Sequence, residues 1–348
     1  MVQATQLERE ILEQPDAIRR LLDAESENVG RIADAIRRRS PHFAMFVARG
    51  SSDNAARYGQ YIFGINNSLP VALATPSLYT LYGKPPRLTD ALVLAVSQSG
   101  QSPDIVSVVE EGRQQGALTV AITNDLQSPL ATAAEFCLGL QAGREQSIAA
   151  TKTYTTSLVA LGMLSTLLAE DEASYRALQD VPHFIESVTD TTVETVRAAE
   201  RYRYMEACVV LSRGYNYATV FEIALKLKEL TYVLAEPYSS ADFQHGPVAL
   251  VERGFPVLAV VPEGILAVEL VDFLKQLRER GAELVVISPQ HDALTLAQTP
   301  LPIPTAIPEW LSPIVAVVQG QLFTLGLTLA KGFDPDHPRS LRKVTLTE

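Results

Sequence analysis

A cluster of hydroxyl side chains follows directly after an apolar run of strand length. The run is Ala91–Val96, and it continues into Ser97, Gln98, Ser99, Gly100 and Ser102. Ser102 and Pro103 have the residue types of a helix N-cap and first helical residue. Hydroxyls and free backbone N–H groups would then converge at the positive end of a helix dipole, an arrangement that holds phosphate. An ordinary polar turn between a strand and a helix is the alternative interpretation.

A second group of reactive residues lies in the other half of the chain. Glu222, Lys226 and Glu229 follow one another at spacings of four and three residues, so a helix predicted over 221–234 places them on one face. A carboxylate beside a cation can move a proton, although a solvated Glu–Lys pair of little consequence has the same pattern. His245 lies in a Gly-Pro turn, where an imidazole is free to move a proton.

An internal repeat indicates which elements position these residues. Val93-Leu94-Ala95-Val96 recurs letter for letter as Val257-Leu258-Ala259-Val260, at an offset of 164 residues. Each copy alternates apolar strand patterns with amphipathic helices, which predicts a parallel sheet with right-handed crossovers and a ligand edge at the carboxyl ends of its strands. That edge brings Gly50, Ser51 and Ser52 beside the hydroxyl cluster. The second copy has Val261-Pro262-Glu263-Gly264 instead, and we expect it to hold no phosphate.

The segments between and after the two copies carry no evident chemistry. A charged, helical pattern over 170–207 joins the copies, with Pro182 as the expected break. The proline-rich stretch from Pro289 to Pro313 is predicted to be an ordered surface connection rather than a helix. Residues 311–330 are apolar but interrupted by polar residues, which favours a buried helix over a membrane span.

Composition excludes several classes of function. The 348 residues are 47% hydrophobic with a net charge of −11 and a pI near 5.1, which argues against a nucleic-acid surface and favours a globular chain of two domains. Cys137 and Cys208 are predicted to be buried thiols of a reducing compartment. The histidines lack ligand spacing, so we expect no metal. The residues after Met1 lack a signal-peptide pattern, and we expect a cytoplasmic protein with no membrane role.

Six motifs in order resemble the double sugar-isomerase-domain (SIS) family over essentially the whole chain. They are Arg-Gly-Ser-Ser at 49–52, Ser-Gln-Ser-Gly at 97–100, Ala-Ala-Thr-Lys-Thr at 149–153, Ala-Leu-Lys-Leu-Lys-Glu at 224–229, His-Gly-Pro at 245–247 and Pro-Arg-Ser-Leu-Arg-Lys at 338–343. The resemblance implies an α/β fold of two tandem SIS domains, each a three-layer, flavodoxin-like αβα sandwich. The expected division is 1–185, an N-terminal helix plus the phosphate-binding domain, and 186–348, the domain with the acid–base residues and a C-terminal tail.

The resemblance also implies roles for individual residues. Within the family, the chain resembles most the SIS-type glucosamine-6-phosphate deaminases and the isomerase domain of glucosamine-6-phosphate synthase. Glu229 matches the base that moves a proton between C1 and C2, His245 the ring-opening residue of the neighbouring subunit of a homodimer, Lys343 a lysine able to form a Schiff base, and Lys226 a nearby charge. The matching sugar-phosphate contacts are Gly50, Ser51, Ser52, Ser97, Gln98, Ser99, Ser102, Ile148 and Ala150, with Arg49, Glu145, Lys152 and Glu222 as further candidates.

Two departures from the synthase pattern bear on the reaction. Arg49 stands where the synthase has a cysteine, and Ala150 where it has a serine. The chain also starts directly with the isomerase-like region, so we expect no glutamine hydrolysis. The expected reaction is the deamination of glucosamine 6-phosphate to fructose 6-phosphate, and we expect it to need no cofactor. The alternatives are an aminotransferase-like or aldose–ketose phosphosugar isomerase, a fructosamine-6-phosphate deglycase, and, least expected, a phosphosugar-sensing regulator. The sugar epimer stays open.

Overall fold

The computed structural model describes residues 4–343, which form two compact units. The N-terminal unit comprises residues 16–146, 152–180 and 342–343, and the C-terminal unit comprises residues 4–15, 147–151 and 181–341. Met1 and Val2, on which the prediction about the chain start depends, lie outside the described residues. The domain boundary after residue 185 stays a prediction.

The chain alternates strands with helices throughout both units. The strands are β1 (Phe43–Val47), β2 (Val71–Leu73), β3 (Ala91–Val96), β4 (Leu118–Thr123), β5 (Phe136–Gly139), β6 (Ala207–Ser212), β7 (Leu234–Ser239), β8 (Pro256–Val260), β9 (Glu283–Ser288) and β10 (Thr299–Pro302). The helices are α1 (Gln6–Leu12), α2 (Gln14–Arg39), α3 (Ser51–Asn67), α4 (Ser77–Thr80), α5 (Pro103–Gln114), α6 (Pro129–Ala133), α7 (Lys152–Leu168), α8 (Glu172–Ala177), α9 (Val181–Thr189), α10 (Thr192–Ala199), α11 (Tyr217–Thr231), α12 (Ser240–Gln244), α13 (Ala267–Glu279), α14 (His291–Leu294) and α15 (Ser312–Ala330).

The N-terminal unit holds a five-stranded parallel sheet in the order β2-β1-β3-β4-β5. Every residue of β3 and β4 is buried, which is typical of a parallel sheet covered on both faces by helices. Val47 at the end of β1 lies in register with Ala95 near the end of β3. The turns that follow these two strands therefore meet at one edge of the sheet, and the predicted strand over Ala91–Val96 is confirmed.

The C-terminal unit repeats this architecture. Its five parallel strands have the order β10-β9-β8-β6-β7, which read backwards matches the order of the first sheet. The repeated Val-Leu-Ala-Val sequence lies in β3 of one unit and in β8 of the other. The prediction of two parallel α/β sheets flanked by helices is confirmed.

Helix α11 and the proline-rich stretch differ from their predicted forms. Helix α11 begins four residues before the predicted start and ends at Thr231, because Tyr232 adopts a left-handed conformation (φ 59°) that turns the chain into β7. The stretch from 289 to 313 is predicted from the sequence to be a surface connection without a helix, but it contains the short helix α14 and the strand β10. β10 tolerates its prolines because it pairs only with β9, so its outer side needs no N–H donors.

Helix α15 is the core helix of the C-terminal unit. The segment Glu309–Ala330 is long and apolar enough to cross a membrane, but 89% of its most apolar window is buried inside the protein. It packs against α9, α10 and α11. The prediction of a buried helix here is confirmed, and Pro182 lies at the start of α9, where the sequence predicts a break.

Candidate functional site

The hydroxyl cluster forms a tight turn between β3 and α5. Gly100 adopts φ 61° and donates its N–H to the Ser97 hydroxyl at 3.1 Å, while the N–H of Gln101 lies 3.3 Å from the Ser99 hydroxyl. Ser102 is the N-cap residue, and its side chain makes no capping hydrogen bond within α5. The turn thus combines several hydroxyls with the start of a 12-residue helix, the combination that favours an anion.

The turn after β1 is tied to this hydroxyl turn by an ion pair. Nε and Nη2 of Arg49 donate to one oxygen of Asp104, at 2.9 and 2.7 Å. The Asp104 side chain is fully buried at the start of α5, whereas that of Arg49 is 51% exposed. Gly50, at φ 56°, then leads into α3, which starts at Ser51. The structure therefore places Arg49, Gly50, Ser51 and Ser52 beside the turn of Ser97, Gln98, Ser99 and Ser102.

A further carboxyl group lies in the first turn of α3. Burial raises the pKa of Asp53 above its ordinary value, and the nearby guanidinium groups of Arg57 and Arg49 partly oppose that rise. Arg57 also donates to Asp53 at 3.2 Å. Arg49 thus acts electrostatically on acidic residues of both helices that begin at this edge.

The Glu–Lys–Glu face of α11 is buried rather than solvated. Nζ of Lys226 lies 2.6 Å from Oε2 of Glu229 and 3.4 Å from Oε1 of Glu222. The side chains of Glu222 and Lys226 are 0% and 3% exposed, whereas that of Glu229 is 24% exposed. The alternative of a solvated surface pair is therefore wrong, and Glu229 is the member of the triad that solvent or a ligand can reach.

His245 lies at the carboxyl end of α12 and is exposed. Its backbone N–H bonds to the carbonyl of Asp242, and Gly246 follows with φ 132°. Within residues 4–343 its imidazole has no hydrogen-bond or ion-pair partner, so the ring is free to meet a group outside this chain.

Lys343 folds back onto the N-terminal unit. Its Nζ lies 2.6 Å from Oε2 of Glu145, whose side chain is fully buried. Glu145 also accepts hydrogen bonds from the N–H and hydroxyl of Thr153, at 3.1 and 2.7 Å. Two predicted candidates 198 residues apart are thus paired, a contact with no signal in the sequence.

The segment that precedes α7 carries the remaining candidates. Lys152 is buried, and its Nζ donates to the carbonyl of Arg144 at 2.8 Å. Ile148 and Ala150 are half-buried and belong to the C-terminal unit, where the N–H of Ser147 donates to Glu10 at 3.0 Å. The C-terminal unit therefore holds Glu222, Lys226, Glu229, His245, Ile148 and Ala150, and the N-terminal unit holds the other predicted residues.

Neither cysteine has the character of a nucleophile. Burial raises the pKa of Cys208 to about 12 and that of the half-buried Cys137 to about 11, the Glu25 carboxylate adding to the effect on Cys137. Thiols with such pKa values stay protonated near neutral pH.

Sequence reasoning missed the role of Asp104. The Ser-Pro-Asp pattern places this carboxylate in the first turn of α5, but only the fold shows that it binds Arg49, 55 residues away. Glu309 was also missed. It follows β10 in the chain, but its carboxylate reaches the turn after β8, where Oε2 accepts the N–H of Ile265 at 3.2 Å.

The chain is similar to known proteins over nearly its whole length. The chain is 32% identical to a glutamine–fructose-6-phosphate aminotransferase (isomerizing) of Thermococcus kodakarensis over 98% of its own length and 58% of the relative's. It thus spans about three fifths of the length of such relatives.

Two solved structures have the same fold as the chain. One, named as a candidate phosphosugar isomerase of Silicibacter pomeroyi, has a TM-score of 0.86 and 37% identity, covering 96% of this chain and 100% of that one. The other is the C-terminal domain of glucosamine-fructose-6-phosphate aminotransferase of Francisella tularensis, with a TM-score of 0.86 and 25% identity, covering 97% and 99%. The SIS domain model matches residues 39–167 and again 184–330, and the chain belongs to the SIS family of phosphosugar isomerases.

Proposed function

We propose that the chain converts glucosamine 6-phosphate and water into fructose 6-phosphate and ammonia. The proposal depends chiefly on the triad of α11. Lys226 is enclosed between two carboxylates, and only Glu229 extends to an accessible position. A carboxylate held by a fixed cation is suited to take a proton from one carbon of a bound sugar and return it to the next.

The reaction then needs no redox step. After ring opening, Glu229 takes the C2 proton of the open-chain aldehyde, and the electron pair forms an enolamine across C1 and C2. The same carboxyl returns the proton to C1 while a proton passes from the amino nitrogen to the C1 oxygen, which leaves an imine at C2 and a hydroxyl at C1. Water adds to this imine and ammonia departs, giving the ketose. The charge that develops on the C1 oxygen is stabilised by a cation, a role we assign to Lys226 or Lys343.

The hydroxyl turn supports a phosphorylated substrate. Ser97, Ser99 and Ser102 lie at the start of α5, where the helix dipole favours a phosphate, and Arg49 adds a half-exposed positive charge. Such a binding group lets the enzyme hold the sugar by the end remote from the reacting carbons.

The names of two relatives support an amino sugar as the substrate. The names of the Thermococcus and Francisella proteins join fructose 6-phosphate with glucosamine or with transfer of an amino group. A site that moves a proton between C1 and C2 of the corresponding imine works in either direction. The ammonia concentration and the removal of product then decide which direction prevails.

We propose further that the active unit is a homodimer in which His245 serves the neighbouring subunit. The exposed imidazole, free of partners among the described side chains, supports this role in ring opening. Aldose–ketose isomerisation of an unaminated phosphosugar is the second candidate. It is favoured by the isomerizing activity in the Thermococcus relative's name and needs the same proton transfer.

Incubation of the purified protein with three substrates separates the candidates. Glucosamine 6-phosphate, galactosamine 6-phosphate, and fructose 6-phosphate with ammonia are supplied separately, and ammonia, aldose phosphate and ketose phosphate are measured. We expect equal amounts of ammonia and fructose 6-phosphate from glucosamine 6-phosphate. Isomerisation of fructose 6-phosphate to glucose 6-phosphate without ammonia release would instead establish the second candidate, and no turnover of any substrate would contradict both.

A further inference from the structure

We infer that the carboxylate of Glu309 occupies the position in the C-terminal unit that corresponds to the phosphate site of the N-terminal unit, and that it excludes a second phosphosugar there. The inference rests on the proposed function in one respect, namely that the turn over 97–102 holds phosphate. The contacts of Glu309 itself are independent of that proposal.

The two turns correspond residue by residue. Val261 to Leu266 lie 164 positions after Ser97 to Ser102, and both turns connect the middle strand of a sheet to the following helix. Each also starts with the same hydrogen bond to the neighbouring strand, Ser97 N–H to the Ile122 carbonyl at 3.0 Å and Val261 N–H to the Ile287 carbonyl at 2.9 Å. The two turns therefore share their place in the fold and their first hydrogen bond, but the C-terminal turn has no hydroxyls, and its glycine adopts φ 133° where Gly100 adopts 61°.

Glu309 lies against this backbone. Its Oε2 accepts the N–H of Ile265, the counterpart of Gln101, at 3.2 Å. A Cβ on Gly264, the counterpart of Gly100, would lie only 1.9 Å from that oxygen, so the carboxylate fills the space beside the glycine. On its other side, a Cβ on Gly214, the counterpart of Gly50, would lie 3.9 Å from Oε1. The carboxylate is thus close to both turns whose counterparts flank the predicted phosphate.

A tethered carboxylate competes well with a free anion. It supplies negative charge and acceptor oxygens as phosphate does, but at the effective concentration of an attached group, on the order of millimolar or higher. A phosphate dianion entering the same space would also be repelled by the carboxylate within a few ångströms. Since Val261, Pro262, Ile265 and Leu266 offer no hydroxyl, free phosphate has little to gain by displacing it.

The counterpart of Glu309 in the other unit has different partners. Glu145 lies 164 residues earlier, likewise between the last strand of the sheet and the long buried helix. It accepts hydrogen bonds from Thr153 and from Lys343. The glutamate at this position of the repeat therefore binds Lys343 in the N-terminal unit, and in the C-terminal unit it binds the turn that corresponds to the phosphate turn.

Hydrogen exchange measured by mass spectrometry tests this inference, with inorganic phosphate as the probe. In Glu309→Ala we expect the amides of 261–268 to exchange about tenfold faster than in the wild type, since a net hydrogen bond to a charged group is lost. Addition of about 20 mM phosphate should slow this exchange again in the variant and leave the wild type unchanged. Glu309→Gln, which keeps the shape and loses the charge, should respond to phosphate in the same direction but less.

Glu263→Ala is the matched control. This carboxylate belongs to the same turn but accepts the N–H of Ala306 at 3.1 Å, so its loss should create no response to phosphate. Protection of 261–268 by phosphate in the wild type would overturn the inference. So would unchanged exchange in both Glu309 variants, or faster exchange that phosphate does not reverse. Peptides covering 97–102, followed with glucosamine 6-phosphate in the same samples, report on the proposed function separately.

Discussion

Arg49 and its counterpart in the repeat, Arg213, each form an ion pair with an acidic residue of the helix that follows the middle strand of the sheet. Arg213, 164 positions later, follows β6 as Arg49 follows β1, and it pairs with Glu269 at 2.6 Å near the start of α13. The arginine–acid pair therefore persists in the unit whose turn has lost its hydroxyls. This persistence assigns to the pair a positioning role, that of holding the first turn of the sheet against the helix after the middle strand. In the N-terminal unit the half-exposed guanidinium is available to a phosphate as well.

The two ion pairs should contribute differently to the free energy of unfolding, because the acid is buried in one and exposed in the other. Arg49→Met leaves the fully buried Asp104 carboxylate without its cation, and we expect a loss of about 1–3 kcal/mol in the free energy of unfolding, measured with urea. Arg213→Met is the matched control, because Glu269 is 42% exposed, and it should cost about 1 kcal/mol or less. Equal costs for the two variants would show that the burial of Asp104 carries no penalty.

At the scale of the element, the unit of function is the strand, turn and helix over residues 91–114. Its strand, N-cap and hydroxyls are local features, so the sequence pattern predicts them directly. Alternating strands and helices also predict a parallel sheet, whereas the order of its strands emerges from the fold. The partners of the side chains depend on chain segments far apart in sequence, and for that reason Arg49–Asp104, Lys343–Glu145 and Glu309 at Ile265 emerge only from the fold. The proline-containing β10 is likewise recognised only from the fold, where it pairs with β9 at the edge of the sheet.

Gly100 is the glycine of the hydroxyl turn, and the turn has no room for a side chain there. It adopts φ 61°, and a Cβ would lie 2.1 Å from the Ser128 hydroxyl oxygen. Gly100→Ala should therefore weaken phosphosugar binding by about tenfold or more in calorimetry, because the turn must open, and should lower the free energy of unfolding by about 1–3 kcal/mol.

The control for this variant is Gly83→Ala. Gly83 has a similar φ of 58° but nothing within 4 Å of the added methyl group, so the variant carries the backbone strain without the steric clash. Binding should be unchanged in Gly83→Ala. A similar loss of affinity in both variants would mean that the Gly100 effect reflects general destabilisation and not the geometry of the turn.

At the scale of the whole molecule, the two copies of the fold carry different groups of candidate site residues. One unit keeps the hydroxyl turn and the Glu145–Lys343 pair, and the other carries the triad of α11 and His245. Each sheet has the same strand order, whereas the side chains at the two carboxyl edges differ in chemical character. Divergence after duplication accounts for a chain with two equivalent folds and one proposed phosphate site.

Mixing two inactive variants tests whether the proposed site is shared between subunits. Glu229→Gln and His245→Ala should each be inactive alone. After unfolding and refolding together in equal amounts, about half of the dimers are mixed, and each has one site with both native residues. Ammonia release should therefore return to about a quarter of the wild-type rate. Each variant refolded alone is the control. No recovery in the mixture would place His245 in the site of its own chain, and full activity of His245→Ala alone would place it outside the mechanism.

Proton transfer by Glu229 is the central claim, and the turnover of glucosamine 6-phosphate by Glu229→Gln tests it most directly. The amide keeps the shape of the carboxylate but cannot carry the proton. Ammonia release should fall by about 10²–10⁴-fold, while the dissociation constant for the sugar phosphate, measured by calorimetry, stays within about threefold of the wild-type value. Turnover by the variant within a few-fold of the wild type would contradict the account.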